Sequence, residues 1–275
     1  MKRLKKYFVK HTKKCESNQK KDTCDVVIYG GIGIFGIIAL WWILGGMLFS
    51  FDNYKQFSSF MPIPTVNALI DLFLDNRFWT SVIASLKRVT IGIIIAFIAG
   101  MPLGILIGYY RILRFLMNPG IHFFRMISPV SLMPVALLLF KQFESAIYFL
   151  ITMSTIWPII VNTIVGVSRV NSQWIQMARI EGAGHREIIL KIILPAAIPY
   201  MLTSLRLAIG VAWIVLVPAE FLGISSGLGY LINDARDTME YDRLLAIIIS
   251  IGIIGFFLDT FVQWVYKTLN WHWIN

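Results

Sequence analysis

The chain is 275 residues long, with 57% hydrophobic residues, 15% charged residues and a mean hydropathy of +0.71. Soluble domains carry about a quarter charged residues, so this composition belongs in a membrane and excludes an ordinary soluble enzyme. The formal net charge of +10 is not spread like that of a nucleic-acid binder, because residues 1–25 hold nine Lys/Arg against Glu16, Asp22 and Asp25, leaving +6 there and +4 elsewhere.

That basic block precedes an apolar run from Val26 to Phe49, so the positive-inside rule reads it as a cytoplasmic flank able to touch anionic lipid. Leu4, Tyr7, Phe8 and His11 make a helical stripe that suits an interfacial helix, and a solvated charged tail fits equally. The run of 24 apolar residues has span length, not the 7–15 of a signal-peptide core, which makes it a retained anchor. Cys15 and Cys24 are the only cysteines and are read as bystander thiols rather than as a metal site.

A ruler of roughly 20 apolar residues gives about six spans in an all-α membrane protein: 26–49, 79–109, 119–141, 146–168, 196–222 and 244–267. Started from an inside tail, the alternation places sixteen Lys/Arg inside and five outside, with Lys87, Arg88, Arg125 and Arg206 within spans. Both termini are then cytoplasmic. Pro129 and Pro134 interrupt 119–141. Between the first two spans, Thr65 is expected to cap a short amphipathic helix over 66–74 on the outer surface. In the second span Gly92, Ala96, Gly100, Gly104 and Gly108 recur every four residues, a stripe that lets another helix backbone approach.

Several patterns carry no chemistry. Gly31-x-Gly33-x-x-Gly36 has the spacing of a dinucleotide fingerprint but lies inside an apolar span with no βαβ unit around it. A phosphate-binding loop with the G-x-x-x-x-G-K-[ST] pattern is absent, so any ATP must be hydrolysed on a partner. His11, His122, His185 and His272 are scattered without ligand spacing, and no nucleophile, base and acid grouping is evident.

Residues 171–195 form the long polar interruption of the apolar half. Asn171 or Ser172 caps a helix through about Glu181, Gly182 and Gly184 permit a turn, and His185–Ile193 rebuilds a helix with Ile188, Ile189, Ile192 and Ile193 on one side, ended by Leu194-Pro195. Such a hairpin is suited to docking in a partner's cleft.

Here the sequence resembles the E-A-A-x-x-x-G-x(9)-I-x-L-P signature of permease subunits of bacterial ATP-binding-cassette importers. The signature reads Gln176-Met177-Ala178-Arg179-Ile180-Glu181-Gly182, followed by Ile192, Leu194 and Pro195, and departs from the family at Gln176 and Met177. Stretches from Pro62 to Trp264, among them Gly100-Met-Pro-Leu-Gly104, Ile156-Trp-Pro158 and Ala219-Glu-Phe-Leu-Gly223, resemble the nitrate/sulfonate/taurine/bicarbonate branch. The resemblance implies the type I importer permease fold, a homodimer or heterodimer of permeases, two cytoplasmic ATPase subunits that hold ATP and Mg, and an extracytoplasmic solute-binding protein. It implies no cofactor on this chain. It also implies that Ala178, Arg179, Glu181, Gly182, Ala183, Gly184 and His185 form the ATPase-coupling element.

Ser128, Ser131, Ser154, Thr155, Asn162, Arg206 and Glu220 are candidates for a hydrated translocation path, with structural pairing the competing role for the charged members. Lys87 and Arg88, early in a long span, are expected either to snorkel outward or to pair internally. Ser225, Ser226, Gly227 and Gly229 lie on a glycine-rich segment that reads either as an outer gate or as an ordinary surface turn. The leading function is ATP-driven import of a small anion, the alternative an ion-driven secondary transporter or channel, which inverted repeats would favour and which show none here.

Overall fold

In hydrocarbon each backbone N–H and C=O must find its partner within the protein, and an apolar run of about 20 residues does so within itself as a helix. The computed structural model describes residues 29–33, 35–51, 57–221 and 223–274, and among these every long element is α-helical. The expectations for the basic tail, the interfacial helix and both cysteines lie outside the described residues.

The chain divides into two compact units, 1–68 and 69–275. The first holds α1 (Tyr29–Leu48) and a short turn of helix at 57–60, with the Trp41 indole Nε1 donating to the Phe60 carbonyl at 3.2 Å. Helix α2 (Pro62–Leu74) runs from this unit into the second. It begins earlier than expected, because two prolines at 62 and 64 suit a first helical turn, where their missing N–H groups have no partner to lose. Thr65 is therefore inside the helix, its hydroxyl donating to the Met61 carbonyl at 2.9 Å, and is not the cap.

The second unit contains α3 (Asn76–Tyr109), α4 (Arg111–Met126), α5 (Met133–Leu139), α6 (Phe143–Ser168), α7 (Ser172–Ile180), α8 (His185–Ile188), α9 (Leu194–Phe221), α10 (Leu228–Asp237) and α11 (Tyr241–Ile274). Among the described residues of both units, five helices or helix runs, α1 included, are long and apolar enough to cross a membrane, six if the bent pair α4–α5 counts as one. The 119–141 span is this pair. Its axis turns by 84° between Arg111–Met126 and Val130–Leu139, and the helix already begins at Arg111, before the span expected from residue 119. Pro129 and Pro134 sit in or just after the break rather than inside a straight helix, since each lacks the N–H that would continue it.

Helices α3 and α6 run parallel and form the centre of the bundle. Their axes approach closely because the α3 glycines meet bulky α6 side chains in register: Gly92 faces Ile151, Gly100 faces Ile156 and Ile159, Gly104 faces Thr163 and Gly108 faces Val167. The Thr152 hydroxyl donates across the interface to the Gly92 carbonyl at 3.2 Å. Phe124 of α4 stacks on Trp157 of α6 with centroids 5.5 Å apart. Helix α9 returns antiparallel to α6, and Asp75, which caps α3 through Arg77 N, also receives Arg243 of α11 at 3.2 Å.

The expected stop at Leu194-Pro195 does not occur. Residues Ile189–Ile193 widen into a π-helical turn that carries the chain from α8 into α9, with Leu194 N bonding to Ile189 O. Pro195 cannot donate, and the wide turn just before it absorbs the mismatch. The turn also lets Ile188 and Ile193, five residues apart, both enter the core with Val167, Ala197 and Met201.

A methyl group added at Gly104 would stand 2.6 Å from Thr163 Cβ, whereas one at Gly210 of α9 meets nothing within 4 Å. Gly104→Ala is expected to destabilise the purified protein by about 1–3 kcal/mol through overpacking, and Gly210→Ala to leave it unchanged or slightly stabilised. Thermal unfolding in detergent, read by tryptophan fluorescence, checks both.

Candidate functional site

Two polar constructions stand at opposite ends of the α3/α6/α9 bundle. At one end α7 and α8 form the hairpin expected from the sequence. The Asn171 side chain caps α7 by accepting from Gln173 N at 2.9 Å. The helix closes with paired bonds, Ala183 N to Ala178 O at 2.9 Å and Gly182 N to Arg179 O at 3.1 Å, the pattern that places the residue after the cap in the left-handed region. That residue is Gly182, at φ +84°. Helix α8 starts at once, Glu187 reaching back to accept from Gly184 N at 3.2 Å while pairing with Lys191 at 3.0 Å.

One face of the hairpin is seated on the bundle: Ile175, Ala178 and Ala183 pack beside Ile188, Ile193 and Val167. The Tyr109 hydroxyl, at the end of α3, lies 2.8 Å from His185 Nδ1 and accepts from Arg179 Nη2 at 3.4 Å. The opposite face is open. Trp174, Met177 and Ile180, spaced three apart along α7, are 57%, 66% and 85% exposed. An apolar stripe displayed on a rigid element is a surface suited to contact with another protein or with the membrane. Of the residues expected for coupling, Ala178 and Ala183 face inward, Gly182 makes the turn, and Arg179 and His185 meet at Tyr109. The i, i+3, i+6 spacing of Trp174, Met177 and Ile180 was the signal available in the sequence for this exposed stripe.

At the other end Arg88 of α3 is 2% exposed and does not snorkel. Its Nη1 donates to Glu220 Oε1 of α9 at 2.6 Å and to the Ser226 carbonyl at 3.0 Å. Its Nη2 and Nε form a fork on Glu144 of α6 at 2.5 and 3.1 Å, and Nη2 also reaches Ser226 Oγ at 2.8 Å. Glu220, wholly buried, accepts as well from Ser85 Oγ at 2.8 Å and from Gly229 N at 3.0 Å, and Ser85 Oγ accepts from Leu228 N at 2.9 Å. The loop can close this tightly because Gly227 adopts φ +110° and because a side chain at Gly227 or Gly229 would run into Glu220.

Glu220 and the loop residues Ser226, Gly227 and Gly229 are thus one assembly, and Ser225 is exposed beside it. The other path candidates are not gathered here. Ser128 and Ser131 are exposed at the α4–α5 bend. Ser154 and Thr155 are buried within α6 with their hydroxyls on the Ile151 carbonyl, and Asn162 donates to the Pro158 carbonyl. Arg206 approaches Asp259 of α11 at 3.6 Å. Ser85 and Glu144 belong to this assembly and the sequence did not single them out, since a serine in an apolar span and a glutamate in the four residues 142–145 between two expected spans announce no partner 135 and 56 positions away.

The family model described as "Binding-protein-dependent transport system inner membrane component" matches residues 100–271. The bicarbonate transport system permease protein CmpB of Synechococcus elongatus is 36% identical over 247 residues, covering 86% of each chain. The nitrate import permease protein NrtB of Leptolyngbya laminosa is 32% identical over 85% of this chain and 84% of its own. A putative ABC transporter permease of Methanocaldococcus jannaschii is 39% identical over 74% of this chain and 79% of its own. Among solved structures, an amino acid ABC transporter superposes with a TM-score of 0.57 at 16% identity, covering 75% of this chain and 94% of that one. A bacterial ABC transporter for alginate import gives 0.57 at 16% identity over 86% and 98%. These two show the fold.

Removing one member of a buried ion pair strands the other, at a cost of about 3–5 kcal/mol. Arg88→Met is expected to destabilise by that order and to open the 223–229 loop to amide hydrogen exchange. Glu144, whose side chain is 46% exposed, is the weaker partner, and Glu144→Gln is expected to cost about 1 kcal/mol or less. Thermal unfolding with exchange mass spectrometry of the loop separates the two.

Proposed function

The chain belongs to the family of binding-protein-dependent transport system inner membrane components, and from that membership we propose how its two ends divide the work of an ATP-driven importer. It is the permease of an ABC transporter and performs no chemistry; ATP is hydrolysed on a separate ATPase subunit. We assign the hairpin α7–α8 to the cytoplasmic side, where its exposed face docks in the ATPase, and the Arg88 cluster to the opposite side, where a solute-binding protein delivers the cargo. Both termini are then cytoplasmic, in keeping with the sixteen-to-five distribution of Lys/Arg in the sequence.

The observation that carries the docking role is the hairpin's two-faced construction. A helix held by Tyr109, Ile175 and Ala178 on one side and displaying Trp174, Met177 and Ile180 on the other can receive a push and pass it to α3, α6 and α9 without bending. One hairpin per chain against two ATP sites calls for two permease copies, two ATPase subunits with their ATP and Mg, and one solute-binding protein. This chain binds no cofactor in that scheme. The cargo is a small oxyanion of the bicarbonate or nitrate type, a reading supported by the relatives' names.

Gly182 has open space around it but a left-handed backbone, so a bulky residue there disturbs the turn and the exposed face while leaving the spans untouched. Gly182→Trp is expected to insert at wild-type level and to lose co-purification of the ATPase and uptake of labelled anion by at least about tenfold, the equivalent of about 1.4 kcal/mol of docking energy. Wild-type uptake by this variant rejects the assignment.

A further inference from the structure

Between the hairpin and the α3–α4 turn lies an open cavity of about 310 Å³. Tyr109, Arg111, Arg114, Ser168, Arg179 and His185 are among its lining residues, and no aspartate or glutamate lines it. Three arginines therefore line one space that no carboxylate lines. Among the described residues the basic partners of ion pairs are Arg88, Lys191, Arg206, Arg236 and Arg243, not these three. Of the two acids of the hairpin, Glu181 does not line the cavity, and Glu187 is spent on Lys191 and on Gly184 N.

The arginines are also poorly used by the protein itself. Arg114 Nη2 donates to the Gly108 carbonyl at 2.7 Å, but its Nε is buried and has no hydrogen-bond partner. Arg111 stacks on the Phe115 ring at 5.7 Å, and Arg179 contributes one long bond to Tyr109. A guanidinium has five N–H donors, and the only side-chain hydrogen bonds from these three arginines among the described residues are Arg114 Nη2 to Gly108 and Arg179 Nη2 to Tyr109. A buried unpaired donor is costly, and the remedy is an acceptor-only group with several oxygens that several arginines can share.

We infer that this cavity is an oxyanion-binding site, filled by a phosphate-like group held by Arg111, Arg114 and Arg179 with the Tyr109 hydroxyl beside it. The bound anion ties the start of α4 and the end of α3 to α7, and so stiffens the element proposed to dock in the ATPase. The inference rests on the cytoplasmic placement of the hairpin, which puts the cavity within reach of two sources of the same chemistry: a free oxyanion, or the phosphate of an anionic lipid in the inner leaflet. The charge pattern alone recruits either one.

The test uses the purified full-length permease in an uncharged detergent, without its ATPase. Unfolding temperature is followed on titration with inorganic phosphate against chloride at equal ionic strength, and separately with phosphatidylglycerol against phosphatidylcholine. A ligand at about ten times its dissociation constant is expected to raise the midpoint by about 3–6 °C. Stabilisation by phosphate identifies a free anion as sufficient; stabilisation by phosphatidylglycerol alone identifies the headgroup. Either response must fall at least about tenfold in apparent affinity in Arg111→Gln/Arg179→Gln, whose side chains lie at the exposed rim, and recover in part in Arg111→Lys/Arg179→Lys. Absence of stabilisation by both ligands, or an undiminished response in the Gln variant, overturns the site. Because detergent exposes both faces, an error in the proposed sidedness leaves this binding intact, while loss of binding leaves ATPase recruitment by the hairpin to stand or fall on Gly182→Trp.

Discussion

A guanidinium placed among apolar helices has to find partners for all five of its N–H groups, and the arrangement around Arg88 follows from that demand. Water is scarce there, so the acceptors must come from the chain itself: Glu144 at the start of α6, Glu220 at the end of α9, and Ser226 in the loop before α10. Those contacts fix the ends of three helices that are otherwise related by non-directional packing. They also draw the 223–229 loop down over Glu220, which is why glycine stands at 227 and 229. A wholly apolar cluster of equal volume would pack as well but would not specify which loop closes over which helix end.

The long helices supply the rod between the two ends. Parallel α3 and α6 meet through glycines opposite isoleucine, threonine and valine, so their backbones are close and leave little room for independent sliding. A force applied at Tyr109 and Val167, where the hairpin sits, is thereby carried along the same pair of helices that hold Arg88 and Glu144 at the far end. Tight packing moves such a pair as a body.

What could be read from the sequence was what depends on local spacing. The four-residue glycine stripe, the span lengths and the hairpin with its turn at Gly182 are periodicities, and each corresponds to a helix face or a backbone conformation in the structure. The bend of α4–α5 was half visible, since the prolines mark where a helix must break but not the 84° by which it turns. Leu194-Pro195 misled for a related reason: a proline rule written for α-helices does not anticipate a π-helical turn that absorbs the missing donor. The Arg88 cluster was illegible because its members are set by tertiary approach. Nothing local to Arg88 distinguishes a snorkelling side chain from one clamped by carboxylates 56 and 132 residues away.

The two ends differ in how fully their charges are answered, and that difference fits what each would have to do. At the Arg88 end every donor has an acceptor within the chain, a closed construction that holds a loop shut until several hydrogen bonds break together. Around the hairpin the arginines stand without carboxylates, and an apolar stripe lies exposed on α7. Unanswered charge and uncovered apolar surface are both costly in an isolated chain. Their concentration around the hairpin and the start of α4 sets that end apart from the opposite one, where the charges of Arg88 and Glu220 are answered within the chain.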